Sequence, residues 1–253
     1  MNTTVLTDNF RAAMDLPLVL ENEAVLRGAL HELMHDLLAD PCRKHDMKLQ
    51  NMLLACKLRL RALQNLHAAQ TQVEDVAMWR CDIRTMLEEL CAAADLLLSP
   101  YGRAVRFEAP PVLVEAACAP RELAALVLEL ICNAARHTHG EEIAVTIHLK
   151  KPRRSRKESA CVITVESDGC IALAKLHAGV KQKGSGVSAA LRTAWLHHGA
   201  LLWLAREGKA VAALRLPLKK SGSLPPWEPP DLVELLSDQC SQLYIALTQV
   251  CGN

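Results

Sequence analysis

The run ELICNAARHT, Glu129 to Thr138, sets a carboxylate and an amide four residues apart, on one face of a helix. A cation and an imidazole, Arg136 and His137, follow one turn later. Upstream, Cys118-Ala119-Pro120 leads into this helix, with Pro120 near its first turn. Before that, AVRFEA (104–109) and VLVEAA (112–117) predict two short strands separated by Pro110-Pro111. Downstream, EIAVTIHL (142–149) and ACVITVES (160–167) alternate or run β-branched, and predict one hairpin. A helix over 187–198 and the strands LLWLAR and VAALRLPL complete an order ββ-α-ββ-α-ββ. With its helices gathered on one face, this order makes an α+β sandwich.

Ahead of the sandwich the period is helical. Leu26, Leu30, Leu33 and Leu37 recur at spacings of four, three and four, until Asp40-Pro41 interrupts the pattern. Leu49, Leu53, Cys56, Leu60, Leu63 and His67 continue the alternation in a second helix. The two predict a helical hairpin with a heptad-like seam. That seam packs against the rest of the chain or, in the sharper reading, against a second copy in a dimeric four-helix bundle. A third helix is predicted over 76–98, stopped by Ser99-Pro100-Tyr101-Gly102. Residues 1–15 read as a loose arm. Near the other end, SGSLPPWEPP reads as a proline-rich linker before one amphipathic helix over 231–250. The predicted units are therefore 16–75, 76–219 and 220–253.

Composition narrows the function classes. At 253 residues the chain accommodates two domains, and with 51 % hydrophobic residues it is a globular protein rather than a disordered one. Lys and Arg total 29 against 28 Asp and Glu, so binding to nucleic acid or a membrane surface has no global electrostatic support. The one basic run, KKPRRSRK, reads as a solvated loop between strands. Ten cysteines are scattered without a C-x-x-C pair, which predicts free thiols in a reducing, cytoplasmic setting. His197 and His198 lack the spaced partners of a structural zinc site. No apolar run reaches the roughly 18 residues of a membrane span, and no signal-peptide pattern opens the chain.

Two further segments carry chemistry. VESDGCI (165–171) ends a strand, and GSGVSAALRTAWLHHGA (184–200) opens a helix on two glycines. Gly184 and Gly186 there can turn backbone N–H groups toward phosphate, where the helix dipole favours anions. Asn133 can offer Mg²⁺ the oxygen ligand it prefers, and Arg136 is placed to meet phosphate charge.

In order and spacing, the three segments resemble the N-box and two glycine boxes of the ATPase domain of sensor histidine kinases. The resemblance spans roughly 31–218. It implies ATP and Mg²⁺ as cofactors, with Asn133 as metal ligand and Glu129 orienting or deprotonating a nucleophile. Arg136 and His137 would contact phosphate and base or ribose. Asp168 would read adenine, Gly169 would let the backbone approach the base, and Gly184 and Gly186 would hold the phosphates. The chain departs from the pattern in several places. Ser167 stands where the adenine-reading Asp is expected, Ile171 and Ser188 replace glycines, the F-box phenylalanine is missing and the lid is short.

The same resemblance implies a phosphoacceptor on the first hairpin helix. His31, followed by Glu32 as in the family's H-E pair, lies at the family's distance from Asn133 and turns beside the seam. Glu32 would assist proton transfer. His45, in KHDM, is the rival, and His35 reads as an exposed surface residue. The expectation is a cytosolic kinase of two-component signalling, homodimeric and paired with a response-regulator receiver domain. The alternative is a degenerate dimeric scaffold or phosphotransferase that keeps the fold. A serine-kinase anti-sigma factor is a third reading, although such proteins normally lack the hairpin.

Overall fold

The computed structural model describes residues 23–39, 46–70, 72, 76–137, 139–151, 159–170, 173–182, 185–218, 222–238 and 240–251. His45, Gly184 and most of the basic run lie outside the described residues.

Two helices, α1 (Glu23–Ala39) and α2 (Met47–Gln70), form the expected hairpin. Its seam follows the predicted period at Leu26, Leu30 and Leu33, which meet Leu53, Cys56 and Leu60 in one buried cluster with Leu49 and Leu63 against it, whereas His67 is exposed and the Leu37 side chain lies outside the described residues. The same cluster takes in Cys240 and Ile245 from the C-terminal end of the chain, so the seam is filled from within the molecule.

The sandwich follows. Strands β2 (Ala104–Glu108), β4 (Glu142–Lys150), β5 (Ala160–Asp168), β7 (Lys209–Pro217) and β6 (Ala200–Arg206) form one sheet in the order β2-β4-β5-β7-β6. Only the β2–β4 pair is parallel. Alternation sends Ile143, Val145 and Ile147 of β4, and Cys161, Ile163 and Val165 of β5, to one face. Helices α3 (Ile83–Leu98), α4 (Pro120–His137) and α6 (Gly186–Leu196) cover that face. A short helix, α5 (Leu173–Lys181), occupies the segment between the two glycine-box regions.

Three local expectations are corrected. The third helix begins at Ile83, because Asp82 caps it by accepting from Arg84 N–H at 3.1 Å. The residues before it form a strand, β1 (Trp79–Asp82), paired with β3 (Glu115–Cys118) in a separate two-stranded sheet. The proline-rich segment is not a loose linker: Arg80 N–H donates to Pro225 O at 2.9 Å, and Trp227 N–H donates to Arg80 O at 3.0 Å. Finally, the C-terminal helix is two, α7 (Leu232–Ser237) and α8 (Gln242–Cys251). Asp238 breaks it by adopting an extended conformation and accepting from Cys240 N–H at 2.8 Å, a local bond that competes with the helical ladder.

Candidate functional site

Helix α4 starts on Pro120, carries Glu122 in its first turn and ends on Arg136 and His137, charges that suit its dipole. Glu129 and Asn133 stand one turn apart on it, and Asn133 Nδ2 donates to Glu129 Oε1 at 3.0 Å. Glu129 is buried and Asn133 half-buried. The guanidinium of Arg61, from α2, reaches in and forms a buried ion pair between Nη2 and Glu129 Oε2. Arg61 is 5 % exposed and Glu129 9 %. Arg61 Nη1 donates to Ala246 O of α8 at 2.6 Å and to Cys132 Sγ at 3.3 Å. Burial works against the Arg61 charge, but Cys132 and Glu129 outweigh it and hold the pKa above its usual value. Burial pushes the Cys132 thiol up, so the carboxylate is the charge that counts at neutral pH.

Gly186 closes the other side. A Cβ on it would land on the Glu129 carboxylate, so the absent side chain is what lets α6 come down there. Ser185 caps the same helix, its Oγ accepting from Ser188 N–H at 3.1 Å. The helix N-terminus that would attract phosphate thus already has a carboxylate and a hydroxyl against it.

Glu129, Asn133, Arg136 and Gly186 do share one cavity, of about 250 Å³. Leu58, Arg61, Ala62 and Asn65 of α2, Ser185 and Val187 beside Gly186, and Gln249 of α8 complete its walls. Arg136 Nη1 donates to Gln249 Oε1, which ties α4 to α8. Ligand pockets usually run from about 300 Å³ upward. This cavity lies below that range, and the Glu129 carboxylate and the Asn133 amide N–H already engage Arg61 and each other where the resemblance would put Mg²⁺–ATP. A neighbouring cavity of about 660 Å³ sets Arg27, Arg61 and Arg121 against Glu122, Glu129 and Asp238, and lacks Asn133 and Arg136.

The remaining predicted residues stand elsewhere. Asp168, at the end of β5, is exposed, and neither it nor Gly169 lines the Asn133 cavity. Its carbonyl accepts from His139 and Gly140 N–H, both at 3.1 Å, which ties this turn to the loop after α4. Ser167, at the position expected for Asp, is buried. His137 is exposed and outside the cavity. His31, Glu32 and His35 are exposed on α1. The residue that sequence reasoning missed is Arg61. Its signal was an arginine directly after seam residue Leu60, in the run LRLRAL.

His197 is a bolt, not a ligand. Its Nε2 accepts from Ala119 N–H at 3.0 Å and its Nδ1–H donates to Thr193 O at 2.7 Å, joining the start of α4 to the end of α6. Burial lowers its pKa and keeps it neutral.

No protein-family model matches the chain, and no curated protein matches it. Solved structures do. The Acinetobacter baumannii histidine kinase AdeS is similar with a TM-score of 0.55 at 13 % identity, over 76 % of this chain and 95 % of that one. Full-length ShkA, solved in complex with AMPPNP, is similar with a TM-score of 0.61 at 12 % identity, over 87 % of this chain and 47 % of that one. Likeness at such identities is a likeness of fold.

Proposed function

We propose that this chain, which has the histidine kinase-like ATPase fold, serves two-component signalling as a histidine phosphotransferase that does not turn over ATP. One observation supports this above all: Arg61 is paired with Glu129 at the place where the resemblance puts Mg²⁺ and phosphate. A buried, hydrogen-bonded ion pair is costly to break on one side, so a nucleotide would have to displace α2 and α8 to enter.

In this reading His31, exposed on α1, exchanges a phosphoryl group with the aspartyl phosphate of a receiver domain. The neutral imidazole nitrogen attacks phosphorus, the P–O bond to the carboxylate breaks, and the Asp carboxylate leaves with the electron pair. The receiver supplies the activated phosphoryl group, so no nucleotide is consumed. Glu32, exposed beside His31, is the group at hand to take the imidazole proton. A homodimer would be built on the outer faces of α1 and α2, since the seam is filled within the chain.

The runner-up is a conditional kinase in which α2 and α8 undock. The grouping of Glu129, Asn133, Arg136 and Gly186 at one cavity favours it, as does the nucleotide bound to ShkA. Acid-labile labelling separates the two. With phosphoramidate as donor we expect label on the wild type and none on His31→Ala, and with γ-labelled ATP and Mg²⁺ none on either. Label from ATP that needs both His31 and Asn133 would overturn the phosphotransferase and establish the kinase.

A further inference from the structure

Arg27 and His31 lie four residues apart on α1, on one face of the helix. Arg27 Nη1 donates to Cys240 O at 3.0 Å, which pins the turn between α7 and α8 against that face. Within the turn, Cys240 N–H donates to Asp238 Oδ1 at 2.8 Å. Cys240 is therefore held at both its amide and its carbonyl. Asp238 is fixed to it, and both are fixed to the helix that carries His31. The result is a convergence of three different donors. An imidazole nitrogen of His31, a carboxylate oxygen of Asp238 and the Cys240 sulfur all lie within 4.8 Å of one another, in the one such cluster found among the described residues.

We propose that His31, Asp238 and Cys240 form a binding site for Zn²⁺ or a similar borderline divalent transition ion, with water in the fourth position. Nitrogen, oxygen and sulfur donors together exclude Mg²⁺ and Ca²⁺, which take oxygen, and match the ligand types of zinc. Tetrahedral bonds to zinc of about 2.0–2.3 Å place ligand atoms roughly 3.3–3.8 Å apart, so the cluster closes by about 1 Å on binding. His31 and Asp238 are exposed side chains, Asp238 keeping its second carboxylate oxygen outside the bond to Cys240 N–H, while Cys240, at 2 % exposure, is the fixed anchor. The exposed side leaves access for water, the pattern of an open site. Thiolate and carboxylate together neutralise the ion. Burial and the neighbouring Asp238 favour the protonated thiol, with Lys57 and Arg27 opposing them. Metal binding therefore releases a proton and weakens as pH falls. No local spacing announces the site, because its ligands come from opposite ends of the chain.

The site shares His31 with the phosphotransfer reading but does not rest on it. A ring nitrogen bonded to metal is unavailable to phosphorus, so an occupied site would silence that histidine.

The test is a titration of the full chain with Co²⁺ under reducing conditions, followed by absorption spectroscopy with no phosphodonor present. We expect one bound ion, a thiolate-to-cobalt charge-transfer band with tetrahedral ligand-field bands, and displacement by Zn²⁺. Cys240→Ser should abolish the charge-transfer band. Because Cys240 also packs in the hairpin core, His31→Ala and Asp238→Asn, at exposed positions, provide the independent check, each weakening binding by about tenfold or more. No Co²⁺ binding, or a band unchanged in both exposed variants, would overturn the site. Phosphoramidate labelling of the metal-free protein separately reports whether His31 accepts phosphoryl, so either idea can fail alone.

Discussion

Arg61 is the residue on which the functional reading turns. Removing one partner of a buried ion pair leaves an uncompensated charge, so Arg61→Ala should cost about 3–5 kcal/mol of stability. Arg61→Leu combined with Glu129→Leu should recover most of that loss in urea unfolding. An additive double variant would show that the pair is not coupled. Gly186→Ala tests the same contact from α6. Its methyl group would have to push aside a carboxylate already held by Arg61, at about 1–3 kcal/mol. We expect a smaller loss in a Glu129→Ala background, where the obstacle is gone. His197 gives a pH signature. Its folded pKa lies below the unfolded value of about 6.5, so above that value both states are neutral and stability is complete. Below it the unfolded chain takes up a proton that the folded protein resists, and stability falls until pH passes the folded pKa. The urea midpoint of the wild type should drop below about pH 6.5, and His197→Gln should remove that component of the drop.

At the scale of elements, α8 joins what the chain keeps apart in sequence. Ile245 enters the hairpin cluster, while Leu243, Ala246 and Leu247 enter the core under the sheet. Ile245→Ala should therefore cost about 2–5 kcal/mol. Its second mark should be faster amide exchange in α1 and α2, not in α8 alone; exchange confined to α8 would mean the helix merely covers the hairpin. The elements read incorrectly differ in cause. Trp79–Asp82 lies in a run continuous with helical periodicity, and what makes it a strand is pairing with β3 and with Pro225 and Trp227, far away in sequence. The break between α7 and α8 was more local, since Asp238 is a residue type that competes for backbone N–H groups.

For the whole molecule, the two cores should behave as one. The hairpin and the sandwich share α8 and the Arg61–Glu129 pair, so urea unfolding should give coincident transitions by far-ultraviolet circular dichroism and tryptophan fluorescence. A chain ending at Asp238 should unfold in two steps. That truncation also removes Gln249 from the wall of the Asn133 cavity and Ala246, whose carbonyl accepts from Arg61. Should it gain binding of a fluorescent ATP analogue that the full chain lacks, α8 acts as a closure over a competent nucleotide site. Should it gain none, the site is closed by more than α8.

The helical hairpin, the β4–β5 pair and the polar face of α4 were all legible in the sequence. Period, turn residues and spacing are codes written in neighbouring residues, and the seam leucines and the Glu129–Asn133 pair obey them. What stands opposite that pair was not legible. Arg61 looks like one more charge on a helix until α2 docks on α4, and burial then turns it into the counter-ion of Glu129. His31, Asp238 and Cys240 are likewise three unrelated residues until a hydrogen bond from Arg27 holds the last turn against the first helix. Local sequence specifies the shape of each element, whereas the charge or donor that an element meets depends on contacts between distant segments.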